Sequence, residues 1–519
     1  MATTITDKSL LKNITDYDIE DWTEKSCNIL KKRSTKEEGL IDFKKKLIVN
    51  NPLDEESVKE LKEIEKLIKE NDPDVLYKNI DKVLDIWTLL IRKSLVLLRI
   101  CDLREPYLEF ENKNPSPYGL SELRDFMKSY QEYEKLLYAT PNYRDHIVHV
   151  FKTWLIGMNI FIDQKEYFDN LCLDGVKHSD EKFVLTPLEK ISIWTLISLC
   201  HDLGYPLEKA QKILDKTTGM LKYFVANPQI LSDIKFTDTQ DKMNQIIIEM
   251  ASSKIVPEKV KKDDDKKDEL YTAIIQPKYY MKFLKSFEKN SHGLISSIIL
   301  YKILLYFMES EFSTNVNYKF TYMDAIQYLI RREILRAISS HTTKDIYYLN
   351  ANTFSFLLTF CDDLQEWGRR DWNSMYTHTL NDKKITIEKF EKNNDVYNIE
   401  IEEIFEKQFQ EKEFAKIIQQ IYEYQFISYR TIFRDGLDTQ NRTFNFKKRF
   451  KLSTEKGKTI SVQFTIVKDE QALFTVGLDD LSESIKKEIF DNLNTEKFFL
   501  EKTPKDSKKI REVKEITIK

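Results

Sequence analysis

Along the first three quarters of the chain, apolar residues recur every three to four positions, the period of helices that bury one face. Residues 54–71 show it plainly. Val58, Leu61, Ile64, Leu67 and Ile68 fall on one side, Asp54 opens the segment and Pro73 stops it. Residues 76–103 are apolar nearly all round, which predicts a buried helix. After a two-proline loop at 112–119, helices are expected over 121–139 and from Pro141 through Phe161. The run Thr186-Pro187-Leu188-Glu189 carries a helix start, with threonine as N-cap, proline first and glutamate third. That helix passes Trp194 and Ile197 to reach His201-Asp202, and Pro206 is expected to break it. Further helices are predicted from His292, over 330–340 and over 354–370. Residues 165–182 are polar, and 251–269 contain the charge run 261–268, read as a solvated or disordered excursion.

Beyond about Asn381 the period drops to two. Residues 384–391 and 396–402 alternate as strands do, 411–433 return to helical spacing, and 443–452 and 459–467 alternate again. Glu455-Lys456-Gly457 is the hairpin turn between the last two strands, and a helix and a Lys-rich tail follow from about Asp480. The order strand, strand, helix, strand, strand predicts a small α+β domain. The expected fold class is mainly α, in three parts: an N-terminal helical region over 1–117, a helical domain over 118–380 and an α+β domain over 381–519. With only 11 Gly and 12 Pro in 519 residues, a turn-rich all-β architecture is disfavoured.

A formal net charge of −4 shows no global basic excess, so nucleic acid is not indicated as a partner. The five cysteines, Cys27, Cys101, Cys172, Cys200 and Cys361, are odd in number and show no C-x-x-C spacing. That usage suits a reduced, cytoplasmic protein. The first 20 residues lack a signal-peptide core, and the greasiest runs, 191–200 and 294–308, are short or carry Lys302. No membrane span is expected. The terminal segments are candidates for self-association or for a protein partner.

The chemistry lies in a series set along the predicted helices: His149, the pair His201-Asp202, His292, His341 and Asp362. Imidazole and carboxylate are the donors that suit Zn, Mn, Fe or Ni, and such groups can converge inside a helical bundle. His146 lies three before His149, on the same face if a helix spans both. A lone histidine on an apolar helix is usually a satisfied core residue, and His292 at a helix start has capping as its plain alternative. Asp363 is the alternative to Asp362. Cys200 and Cys361 read as small packing residues, and His178 and His378 as surface residues.

The ordered set, borne on 120–370, resembles the HD superfamily of metal-dependent phosphohydrolases, an all-helical family named for its His-Asp pair. The resemblance implies four basic ligands, His149, His201, Asp202 and Asp362, with His292 and His341 as the extra ligands of two-metal members. It implies Asp202 as a bridging carboxylate and one or two divalent ions, with Mn, Fe, Ni, Zn and Mg as candidates. Gly204-Tyr205-Pro206 follows the His-Asp pair here. In the Gly-Tyr-Pro class of cyclic-di-GMP phosphodiesterases that tripeptide follows a later histidine pair, so this substrate is not assigned. Tyr205 stands where many family hydrolases place a phosphate-holding lysine.

The implied reaction is hydrolysis of a nucleotide or other small phosphoester by a metal-activated water. His146 is the expected proton donor to the leaving group, Arg144 and Arg369 the expected phosphate contacts, and Asp145 the expected orienter of a ligand histidine. Two other classes share the pattern. One is a diiron oxygenase of the same fold, similar to inositol oxygenase, and the other a non-catalytic sensor or scaffold.

Overall fold

The computed structural model describes residues 3–33, 40–68, 75–102, 119–138, 143–175, 183–221, 223, 239–258, 270–307, 318–343, 346–367, 369, 383–434, 441–455, 457–470, 472–477, 481–495 and 515–518. The first part holds β1 (Thr3–Ile5), α1 (Asp7–Thr15), α2 (Glu20–Arg33), α3 (Leu40–Val49), α4 (Glu55–Leu67), α5 (Val75–Lys78) and α6 (Ile80–Ile100). The middle holds α7 (Leu120–Leu137), α8 (Ile147–Asp163), α9 (Lys165–Asn170), α10 (Pro187–Cys200), α11 (Tyr205–Leu221) and α12 (Thr239–Ser252). It continues through β2 (Ser253–Pro257), β3 (Tyr271–Ile275), α13 (Pro277–Glu288), α14 (His292–Ile303), α15 (Tyr322–Ser340) and α16 (Phe354–Leu364).

The last part is a sheet with helices on it. Its strands are β4 (Lys383–Asn393), β5 (Val396–Phe409), β6 (Phe444–Thr454), β7 (Thr459–Ile466), β8 (Leu473–Gly477) and β9 (Glu515–Ile518). A crossover helix joins β5 to β6, running through Phe414–Gln420, a π-helical stretch Ile421–Phe426 and Ile427–Ile432. The sheet order is β1-β4-β5-β6-β7-β8-β9, with β5 and β6 parallel and the other pairs antiparallel. Of the described residues 63% are helical, so the mainly α class holds, with most of the sheet in the C-terminal part.

The expected strand-strand-helix-strand-strand order is present, with the Gly457 hairpin at positive φ. The pattern did not show β1, β8 or β9, short strands whose few residues carry little period. The middle part is not wholly helical, because β2 and β3 form an antiparallel hairpin. The charge run 261–268 lies outside the described residues, as do His178 and His378. Pro206 does not break a helix. It sits in the first turn of α11, where its missing N–H costs nothing, and the chain turns before it at 201–204. Among the described residues no helix is long and apolar enough to cross a membrane.

Three helices make the centre. All of α10 is buried, as are residues 147–161 of α8 and 324–340 of α15. Helices buried this way must satisfy every polar group internally. Thr186 and Glu189 close the expected capping box at the start of α10, and Arg33 of α2 meets Glu189 at 2.8 Å. Indole N–H groups serve three further acceptors. Trp154 donates to Thr195 Oγ1, Trp194 to the Trp154 carbonyl, and Trp87 of α6 to the Leu199 carbonyl near the end of α10.

The sheet lays its apolar face on α16, through Phe444 against Phe356 and Phe446 against Phe360. Buried apolar residues drawn from all three expected segments, from Ile5 to Leu493, make one large connected core, with Leu137, Tyr138 and Tyr143 in a small separate cluster.

Gly157 lets α8 and α10 close. A methyl group there would lie 2.2 Å from the Trp194 ring. Gly157→Ala is therefore expected to destabilise the fold by about 1–3 kcal/mol. The measurement is the urea midpoint at unchanged slope, and an unmoved midpoint would show that the contact is loose.

Candidate metal centre

The site is made of helix ends. His201 caps the C-terminus of α10 and His341 that of α15. His292 is the first residue of α14, His149 lies in the first turn of α8, and Asp362 in the last turn of α16. The two C-terminal histidines use one local device. Each ring donates Nδ1–H to the carbonyl three residues back, His201 to Ser198 at 2.8 Å and His341 to Ile338 at 2.6 Å. Those carbonyls lack an intrahelical partner, so the bond satisfies the helix end and aims Nε2 beyond it.

The other two rings are fixed by side chains. His292 Nδ1 bonds Glu208 Oε2, and His149 Nδ1 bonds Gln365 Oε1. The Gln365 amide nitrogen donates to the Trp367 carbonyl, which turns its oxygen toward His149. Each Nδ1 therefore carries a proton, which leaves Nε2 as the atom that would bind a metal at the centre once any proton on it is displaced. This is the second layer expected behind metal-binding histidines.

The four Nε2 atoms surround Asp202. Those of His149 and His201 lie 3.9 and 3.5 Å from Asp202 Oδ2. Those of His292 and His341 lie 3.4 and 3.7 Å from Oδ1. Asp362 Oδ1 stands 2.8 Å from His149 Nε2 and 3.8 Å from His201 Nε2. Ligand atoms around one ion, each about 2.1 Å from it, are separated by about 3.0 Å in octahedral and 3.4 Å in tetrahedral geometry. The observed spacings scatter around those values. The Nε2 atoms of His201 and His341 are buried without a hydrogen-bond partner. Buried ring nitrogens left without a partner in this way call for an ion or a water. The six donors could thus hold a metal.

The electrostatics agree. Burial pushes the carboxyl groups of Asp202 and Asp362 up, yet the surrounding imidazoles hold both well below the ordinary range. Burial pulls His201 down, but Asp202 and Asp362 outweigh it and raise its pKa to about 9. Burial likewise raises Glu208, and its bonds to His292 and Lys209 bring it down to about 2. His149, His201 and Asp202 are buried, whereas His292, His341 and Asp362 are half-buried. One side of the centre is therefore accessible.

Gly204 closes the arrangement. Its N–H donates to Ser296 Oγ at 2.8 Å, and a methyl group there would lie 2.4 Å from the His292 carbonyl. Only glycine lets the turn after Asp202 touch α14 so closely.

His146 does not share a helical face with His149. It is the N-cap of α8, with φ −123°. Its ring stacks on Tyr205 at 3.6 Å, and its Nε2 lies 4.0 Å from Asp202 Oδ2. Behind it runs a buried chain. Its Nδ1 is 3.2 Å from the Tyr143 hydroxyl, which donates to Glu134 at 2.7 Å. Burial, with some help from Asp145, raises Glu134 to about 7, against the hydrogen bonds it accepts. Burial pushes His146 well below the usual imidazole range, so its resting form is neutral.

Other expectations changed on contact. Asp145 meets His149 through the backbone. Its carboxylate accepts the His149 backbone N–H at 3.1 Å and so caps α8. Arg144 is tied to Glu366 at 2.5 Å, and Arg369 donates to the Asp145 carbonyl at 2.7 Å. Asp363 points away from the centre, to Lys448 at 2.9 Å and to the Tyr429 hydroxyl. Cys200 and Cys361 are buried thiols whose pKa burial raises. The pattern missed Glu134, Tyr143, Glu208 and Gln365. Only Gln365, three residues past Asp362, and Tyr143, three before His146, stood close enough to a ligand to be suspected.

No protein-family model matches this chain, and no curated protein or solved structure matches it.

His201→Ala is expected to remove most bound metal from dialysed protein, and Glu208→Ala to weaken binding by about 10–100-fold, both read by elemental analysis. Metal content equal to wild type in both variants would count against the centre. A metal must displace the His201 proton below pH 9. Apparent affinity should therefore rise about tenfold per pH unit from pH 6 and level off above 9. A flat profile would contradict this.

Proposed function

We propose that the chain is a metal-dependent phosphohydrolase or phosphodiesterase of the HD superfamily. It acts on a nucleotide or other small phosphoester through two divalent ions. The observation that carries this reading is the split of Asp202, one carboxylate oxygen facing His149 and His201 and the other facing His292 and His341. A single mononuclear site has no need of a second histidine pair on the opposite oxygen. His149, His201, Asp202 Oδ2 and Asp362 would hold one ion, and His292, His341 and Asp202 Oδ1 the other.

Ions held there would supply Lewis-acid stabilisation of phosphoryl oxygen and a lowered pKa for water. The protein's own contribution begins with His146. Its neutral Nε2 faces the centre, so it accepts a proton from the attacking water and then returns it to the leaving alkoxide. As the ring becomes cationic, Tyr143 and Glu134 stand behind Nδ1 to stabilise it. Tyr205 holds the ring flat. His146 keeps its expected role as proton donor to the leaving group and takes up that proton first as a base. Arg144 and Arg369 add positive charge at the rim while engaged with Glu366 and Asp145. They act there by field more than by direct grip on phosphate.

The test is a phosphoester panel, including nucleotides and bis-p-nitrophenyl phosphate, with protein loaded separately with Mn, Fe, Ni, Zn or Mg. Wild type is expected to hydrolyse at least one member. His146→Ala should retain its metal and lose about 10²–10⁴ in kcat. Metal loss in that variant would make His146 a ligand. Iron-dependent oxygen consumption without hydrolysis of any phosphoester would overturn the reading in favour of the oxygenase.

A further inference from the structure

A cavity of about 440 Å³ lies between the sheet and the crossover helix, beside the metal centre but apart from its ligands. Its walls come from the start of β4, the end of β5, the middle of β6, the crossover helix and Arg144. Three irregularities of the backbone and surface meet there.

The first is in β5. Register with β6 slips between Ile404 and Gln408, and pairing with β4 ends at Phe405 opposite Lys383. Among the described residues, Glu406 and Lys407 have no strand partner on either side. A bulge of this kind re-aims side chains and is common beside functional sites. Phe405 and Lys407, beside this irregularity, line the cavity together with Glu403 and Phe409.

The second is in the crossover helix, which widens to a π-helical stretch at Ile421–Phe426. Three of its residues, Ile421, Tyr424 and Gln425, line the cavity. Such stretches are rare and are enriched at binding sites, because they cost a regular hydrogen bond.

The third is the chemistry of the lining. Arg144, Lys383 and Lys407 supply three cations against one anion, Glu403. Glu403 is buried beneath Lys383 at 2.6 Å and Lys448 at 3.4 Å, and Glu366 pairs with Arg144 and Lys383 behind the wall, so Lys407 is the exposed cation of the lining outside these pairs. Aromatic rings stand among these cations. Lys383 lies over Phe405 at 4.8 Å, and the Tyr424 ring is 71% exposed at the rim. An exposed aromatic beside cations is a stacking platform beside an anion site.

We propose that this cavity is a second small-molecule site, for an anion that carries a flat ring, of the mononucleotide class. The ring packs against Tyr424 and Phe405, and the anionic group faces Lys407 and Arg144. Arg144 also holds Glu366, four residues past Asp362, so the site touches the segment that follows a ligand of the metal centre. The proposal does not depend on the centre being catalytic.

The experiment uses full-length protein in EDTA, titrated calorimetrically with ADP, pyrophosphate and adenosine. ADP is expected to bind, with pyrophosphate and adenosine each about tenfold weaker, since each forgoes one half of the contact. Lys407→Glu and Tyr424→Ala, both at exposed positions, should each weaken ADP by about fivefold or more. His201→Ala should leave ADP binding unchanged, which separates this site from the metal centre. Absence of ADP binding overturns the proposal, as does ADP affinity that survives both substitutions. Loss of ADP binding in His201→Ala would also overturn it by placing the nucleotide at the metal centre. Failure in EDTA leaves phosphoester hydrolysis untouched, so the two readings fail separately.

Discussion

The carboxylate of Asp202 is the group on which this architecture turns. It is buried, charged and surrounded by imidazoles on both oxygens. An isolated buried carboxylate is costly, and only close positive charge or metal coordination offsets that cost. The five helices that end around it cannot drift apart without leaving a buried carboxylate uncompensated. The rest of the middle region is best understood as the frame that brings those ends to one point.

The frame is unusually dry. α8, α10 and α15 are buried along nearly their whole length, and many of their polar side chains are spent on internal bonds. Rigid elements of this kind hold ligand geometry better than loops do. The C-terminal sheet adds a second brace. Lys448 and Tyr429 hold Asp363, while Lys383 and Arg144 hold Glu366. These contacts grip the end of α16 on both sides of Gln365, the residue that orients His149. The sheet thus reaches the metal centre through a charge network without supplying a donor to it.

Much of the fold was legible in the chain because helical and strand periods are local properties. The start of α10 at Thr186 and the alternation of β6 and β7 needed no partner to be read. The hairpin β2–β3 and the strands β1, β8 and β9 escaped because short strands are defined by what they pair with. Pro206 misled because proline is equally at home after a helix and in the first turn of one. In the site, the six donors stood out by residue type. Their supports did not, since Glu134, Glu208 and Gln365 look like any other polar residues on helices.

By itself, the amino-acid order determined which side chains were available as donors and that helices would carry them, because type and period are written locally. Tertiary structure alone decided that Asp202 faces two histidine pairs, that Asp363 turns to Lys448, and that His146 is neutral with Tyr143 and Glu134 behind it. Those outcomes depend on distance and burial between segments as much as 216 residues apart, as for His149 and Gln365. No local pattern encodes a dielectric or a separation of that kind.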